Sequence, residues 1–207
     1  SKLKKGDLLK HLKILDMANV VAGPTAGYTL AQYGAQVIKL DPQNMPLGPG
    51  APMMAVEIGQ GKRSILIDMK TMPGQEVFRK LISWADVVLH NSLDDVAKRL
   101  GITQEQLESI NPSVVSCQIS CFGGAQRGGW EMRPGYDPIP QAATGLMSQY
   151  GSLKEPQMHG RTACGDNMGA LGLTMTALLA AWQQRTTGVA GEGCTSMALA
   201  NNFVQLP

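Results

Sequence analysis

Aromatic residues make up only 5% of this 207-residue chain, and histidine occurs three times. So few imidazoles leave little with which to build a metal centre, and the cysteines at 117, 121, 164 and 194 form no CxxC pair. No metal is expected. The cysteine spacing reads as reduced structural thiols in a cytoplasmic compartment, and no motif places a base beside any of them. No run of roughly 18 apolar residues is present, which argues against a spanning helix. The stretch Ser1-Lys2-Leu3-Lys4-Lys5-Gly6-Asp7 lacks the apolar core of a signal peptide. A net charge of +2 gives no electrostatic case for nucleic acid or a membrane surface as partner. Also missing are a GxxxxGK(S/T) phosphate loop, a GxSxG elbow and an HExxH helix.

What is present is a chain 43% hydrophobic and 16% charged, rich in glycine and methionine, with methionine able to fill gaps that aromatics fill elsewhere. Its length suits one sizeable core or two small ones. Leu12-Lys13-Ile14-Leu15-Asp16-Met17 reads as a buried strand. Pro24 is placed at the first position of a helix that runs to Tyr33 and stops at Gly34, and Gln36–Leu40 is the next strand. Strand, turn, helix, glycine and strand in this order form a βαβ unit and imply a parallel sheet. Residues 41–60, dense in proline and glycine, read as a long functional loop.

Ser64–Asp68 is a further strand, and Thr71–Ala85 a helix with Val77, Leu81 and Trp84 among its apolar positions. Val87–His90 is a strand. Two capping boxes follow, Ser92 with Asp95 and Thr103 with Gln106, separated by Gly101. Val114–Ser120 and Glu192–Ala200 complete the strands, with a glycine-rich site loop at 121–136 and a helix at Pro138–Gln149 weakened by Gly145. The alternation predicts an α/β fold with a doubly wound parallel sheet, whose ligands bind outside the carboxyl ends of the strands. Residues 19–24, 41–43, 68–70 and 90–92 fall there. The first of these turns holds one glycine where a dinucleotide cradle needs three, and Pro24 removes an N–H, so hydride transfer is not supported.

Gly165-Asp166-Asn167-Met168-Gly169 opens a long helix on which Leu171, Met175, Leu178, Leu179 and Trp182 form one apolar face. Arg185 near its end suits the helix dipole, and Gly188 is a stop. From the local sequence, Asp166 at the mouth of this helix reads as an N-cap.

Five collinear stretches resemble the class III CoA-transferases, the CaiB/BaiF family. They are Val20-Val21-Ala22-Gly23-Pro24 with Gly34–Asp41; Gly61–Thr71; Ala85–Asn91 with Arg99-Leu100-Gly101; Arg133-Pro134-Gly135-Tyr136-Asp137; and Gly165-Asp166. The resemblance runs over residues 11–200. It implies a Rossmann-like fold, with residues 1–207 as the N-terminal part of a large domain and the family's small domain absent. It also implies an interlocked homodimer at full length.

For the chemistry, the resemblance implies Asp166 as nucleophile, with acyl-CoA and a small carboxylic acid as substrates. It places Val20, Val21, Ala22, Lys70, Asn91, Arg99 and Leu100 along coenzyme A, with Lys70 and Arg99 at its phosphates. Arg133 and Tyr136 fall near the thioester. The chain departs from the family at Pro42-Gln43, Ser92 and Asn19, where arginine, phenylalanine and a basic residue are frequent. General similarity, without a diagnostic motif, extends to fused members that act on dimethylsulfoniopropionate with transferase and lyase activity. Two rivals stay open. An acyl-CoA racemase needs two acid–base groups, yet Tyr136 stands where its histidine belongs and His159 lies elsewhere. A non-catalytic CoA-binding copy in a fused protein would have no need of Asp166.

Overall fold

The computed structural model describes residues 8–43, 56–123, 133–158 and 164–198. A six-stranded sheet, parallel throughout, has the order β3-β2-β1-β4-β5-β6. The strands are β1 (Lys13–Asp16), β2 (Gln36–Pro42), β3 (Arg63–Ile67), β4 (Val87–His90), β5 (Val115–Ser120) and β6 (Glu192–Ser196). Strand order reverses at β1, which pairs with β2 on one side and β4 on the other. This is the doubly wound sheet expected from the alternation, and the crevice at the reversal is where such sheets bind ligands.

Alternation along the central strands sends side chains to two cores. On one face Ile14, Val37, Leu89 and Ile119 pack with α1 (Ala22–Gln32) and α7 (Cys164–Thr187). On the other, Leu15, Leu40 and Val88 meet α2 (Met72–Trp84), α3 (Asp94–Leu100) and α4 (Gln104–Glu108). Two further helices, α5 (Pro138–Ala143) and α6 (Leu146–Tyr150), replace the single expected helix, broken at Gly145 with φ +81°.

Other expectations shift for local reasons. α1 begins two residues before Pro24, because the first helical turn tolerates a residue with no N–H. Gly34, at φ +95°, does end it. On α2, Phe78 and Ile82 are buried while Val77 lies at the surface. The Thr103–Gln106 capping box forms, but the Ser92–Asp95 box does not: α3 starts from Leu93 without a side-chain cap, its first turn supplied with charge by Asp94 and Asp95. β6 ends at Ser196. Residues 44–55 and 124–132 of the two candidate loops, together with His159, lie outside the described residues.

The largest difference is on α7. Its buried stripe is Gly165, Gly169, Ala170, Leu173, Ala177 and Ala181, while Leu171, Met175, Leu179 and Trp182 are 56%, 60%, 58% and 66% exposed. Close approach explains the choice. A Cβ at Gly169 would meet Ile119 Cδ1 at 2.8 Å, and one at Gly172 would meet Thr195 Oγ1 at 2.9 Å. The helix lies too near β5 and β6 for large side chains on that side, so the small residues face in.

Candidate active site

Two cavities open at the carboxyl ends of the strands, and Asn19 and Ser92 line both. The first, about 320 Å³, lies over β1, β2 and β3 and is lined by Met17, Leu40, Ile67, Lys70 and Leu100 among others. Pro42 and Gln43 line it too. The second, about 290 Å³, lies at the strand-order reversal and gathers Val20, Val21, Ala22, Asn91, Arg133, Tyr136 and Asp166. Arg99 lines neither; it sits on the outer face of α3, 3.7 Å from Asp95, one residue before Leu100.

The turn after β1 is held from several sides. Asn91 donates from Nδ2 to the Asn19 carbonyl at 2.7 Å and accepts the Asn19 N–H on Oδ1 at 2.9 Å. Its carboxamide is thereby spent on the main chain of the turn, although the residue still lines the cavity. Val20 follows at φ +69°, a left-handed conformation costly for a β-branched side chain and characteristic of functional turns. A Cβ at Gly23 would fall 2.1 Å from Ala18 Cβ, so only glycine lets α1 start this close to the strand end. The N-terminus of α1 has no side-chain cap and no acidic residue in its first turn, which leaves N–H donors at Val21 and Ala22 beside the cavity.

Below the turn lies an ion pair that the sequence motifs did not single out. Lys62 Nζ is 2.7 Å from Asp16 Oδ2, with side chains 2% and 0% exposed, and it also donates to the Pro24 carbonyl at 2.6 Å. Asp16 Oδ1 accepts the Ala18 N–H at 3.1 Å. One charged pair therefore ties β1, the turn and α1 together. Lys62 stands in the Gly61–Thr71 stretch, and a lysine beside an arginine before a strand reads as surface charge. Only the path of the chain buries it.

Asp166 is the third residue of α7 and does not cap it. Its own N–H is taken by Asp137 Oδ1 at 2.8 Å, and among the described residues its carboxylate makes no capping bond. The N-cap reading is thus corrected: the first turn is capped by tertiary contact with a residue ahead of α5. Asp166 is half-buried, and its carboxyl is pushed up to about 6, first by loss of solvent and then by the neighbouring charge of Asp137. Gly135 lets this segment lie against β5, since a Cβ there would meet Cys121 Sγ at 2.5 Å.

Cys121 lines the same cavity, but burial and the two aspartates push its thiol up to about 11. At neutral pH it is a thiol and a poor nucleophile. No cluster of three His, Cys, Asp or Glu able to hold a metal is found among the described residues, nor is a helix long and apolar enough to cross a membrane.

Comparison with known proteins bears on this arrangement. The profile of CoA-transferase family III matches residues 9–205. The CoA-transferase/lyase DddD of Marinomonas sp. (strain MWYL1) is 35% identical over 200 residues, covering 96% of this chain and 24% of that protein. The succinate–glutarate CoA-transferase of Agrobacterium fabrum is 34% identical over 173 residues, covering 76% and 43%. Among solved structures, a CaiB/BaiF family protein from Brucella suis superposes with a TM-score of 0.81 at 28% identity, over 93% of this chain and 54% of that one. The chain spans less than half the length of these two curated relatives.

Proposed function

The chain belongs to CoA-transferase family III, and from that premise we propose that it carries the coenzyme A site and the nucleophile of an enzyme that moves CoA from an acyl-CoA to a carboxylic acid. The observation that carries this reading is the Asp166 carboxylate. It is half-buried, relieved of capping, and open to the cavity at the strand-order reversal beside the free N–H groups of α1.

Asp166 attacks the thioester carbonyl, the C–S bond breaks, and a mixed anhydride forms with release of the CoA thiolate. The thiolate attacks the aspartyl carbonyl, giving an aspartyl-CoA thioester and the donor carboxylate. The acceptor carboxylate then displaces the thiolate to form a second anhydride. Attack of the thiolate on the acceptor carbonyl yields the new acyl-CoA and restores Asp166. Uncapped N–H groups at a helix start stabilise the oxyanions that develop at each addition. The general similarity to fused members points to dimethylsulfoniopropionate as the acceptor.

In this reading residues 1–207 are the N-terminal part of a large domain whose full-length chain forms an interlocked homodimer. The exposed apolar stripe of α7 supports it, since Leu171, Met175, Leu179 and Trp182 form a patch of the kind that protein contacts cover. The first cavity takes the nucleotide end of CoA. Lys70 on its wall and Arg99, exposed on α3 beside the lining residue Leu100, are the charge-assisted donors that this reading assigns to the phosphates. Replacing both with Ala weakens CoA binding by about tenfold or more and flattens its salt dependence. Calorimetry at low and high salt checks this, and unchanged affinity at both removes the two residues from the phosphate site.

The test of the reaction is to trap the intermediate. Full-length protein incubated with acyl-CoA and then hydroxylamine is expected to carry a hydroxamate on the peptide containing Asp166, seen by mass spectrometry. Formation of the adduct depends on the ionised carboxylate and so declines as pH falls through about 6. Turnover with no adduct on that peptide defeats the proposal.

A further inference from the structure

Asp137 stands at the N-cap position of α5 but makes no side-chain cap there. Its carboxylate is used elsewhere. Oδ1 accepts the Asp166 N–H at 2.8 Å, across 29 positions of sequence, and Oδ2 accepts from Gln141 Nε2. Asp137 is 7% exposed and Gln141 1%, so the arrangement is held in the interior and not at the surface. A buried carboxylate with both oxygens engaged, one of them on the main chain of the reactive residue, has a more specific task than filling space.

We propose that Asp137 is the positioning residue of Asp166, fixing its main chain at the start of α7 and leaving its carboxylate free to attack. The inference rests on the reading of Asp166 as nucleophile. An acidic side chain at the third position of a helix ordinarily reaches back to a free N–H at the helix start. Here a second carboxylate supplies the acceptor and the favourable charge at the positive end of the helix, so the side chain of Asp166 is not drawn back onto its own backbone.

The same placement puts two carboxylates side by side. The titratable and charged groups around Asp166 are Asp137 and Tyr136 ahead of α5, Arg133 in the same segment, Cys121 after β5 and Cys164 on α7 itself. The cavity residues from α1 and from the segment after β4, namely Val21, Ala22, Asn91 and Ser92, carry no charge. Asp137 is thus the nearby negative group that holds the proton affinity of Asp166 up once solvent is reduced.

Two variants of the full-length protein separate positioning from packing. Asp137→Asn keeps an oxygen for the Asp166 N–H and, once the Gln141 carboxamide turns to present Oε1 to the new amide, keeps the second contact, but it removes the charge. Asp137→Ala removes both. Turnover of Asp137→Ala is expected to fall by roughly a hundredfold, with KM for acyl-CoA little changed, because the nucleophile is misplaced while the CoA contacts are not. Asp137→Asn is expected to recover about a tenfold part of that loss. Its acid limb of turnover should move to lower pH, and so should the midpoint for carbodiimide labelling of the Asp166 peptide.

The labelling midpoint does not depend on catalysis. If trapping shows that Asp166 is not the nucleophile, a shifted midpoint in Asp137→Asn still records the coupling, and the failure belongs to the functional reading. If trapping succeeds but both variants keep the wild-type midpoint and turnover, Asp137 has no positioning role. Should Asp137→Ala fail to fold, the Asn variant decides through its midpoint and its acid limb.

Discussion

Asp166→Ala, made in the full-length protein, is expected to abolish CoA transfer while leaving the fold intact and making it slightly more stable at pH 8. Loss of activity follows from the proposed route, in which every acyl and CoA group passes through this carboxylate and Cys121 is held as a thiol. The stability gain follows from the site. Among the described residues the side-chain bond to the first turn of α7 comes from Asp137, so truncating Asp166 removes none of it. What is removed is a carboxylate that burial and a like charge hold at about 6 rather than 3.8.

A carboxylate with a raised folded-state pKa makes the folded state bind its proton more readily than the unfolded chain does. Its ionised form therefore destabilises the fold above about pH 6, and that penalty fades as pH falls toward 3.8. After allowance for the solvent reaching a half-buried group, the gain at pH 8 is of the order of 1 kcal/mol. Urea denaturation of wild type and variant at pH 8 and pH 4.5 measures it, with the difference shrinking at the lower pH. A variant that keeps normal turnover removes Asp166 from the mechanism, and one that loses stability at pH 8 restores it to a structural role.

Lys62→Met is expected to cost about 3–5 kcal/mol of folding stability, because it leaves the Asp16 charge buried without its partner. Methionine fits the same channel, so the loss is electrostatic and not a cavity. It also frees the Pro24 carbonyl and loosens the turn that carries Asn19, Val20 and Val21 into the cavity, so CoA affinity should fall with stability. Helix α1 has been fitted over the pair: a Cβ at Gly27 would lie 2.7 Å from Asp16 Oδ2 and 3.1 Å from Lys62 Nζ. Adding Asp16→Asn to Lys62→Met removes the orphaned charge and should recover about 1–3 kcal/mol, a coupling that denaturation of the single and double variants resolves. Additive losses, or a cost below about 1 kcal/mol for Lys62→Met, exclude the buried pair as the anchor of the turn.

The sequence by itself determined the fold class and the strand ends that carry the site. Alternation of short apolar strands with helices allows little besides a parallel sheet, and turns at 19–24, 68–70 and 90–92 must then gather at one edge. Local signals that depend on a few adjacent residues also held, such as Gly34 and Gly101 at helix ends and the Thr103–Gln106 box. The tertiary structure alone decided which face of α7 is buried. Its small residues and its large apolar residues both repeat with the helical period, so periodicity cannot choose between them, and the distance to β5 and β6 does. It alone made Lys62 a buried partner of Asp16 and Asp137 the cap of α7, since these contacts join residues 46 and 29 positions apart. No window of sequence contains both ends of such a contact, and a lysine or an aspartate reads as solvated until the chain closes over it.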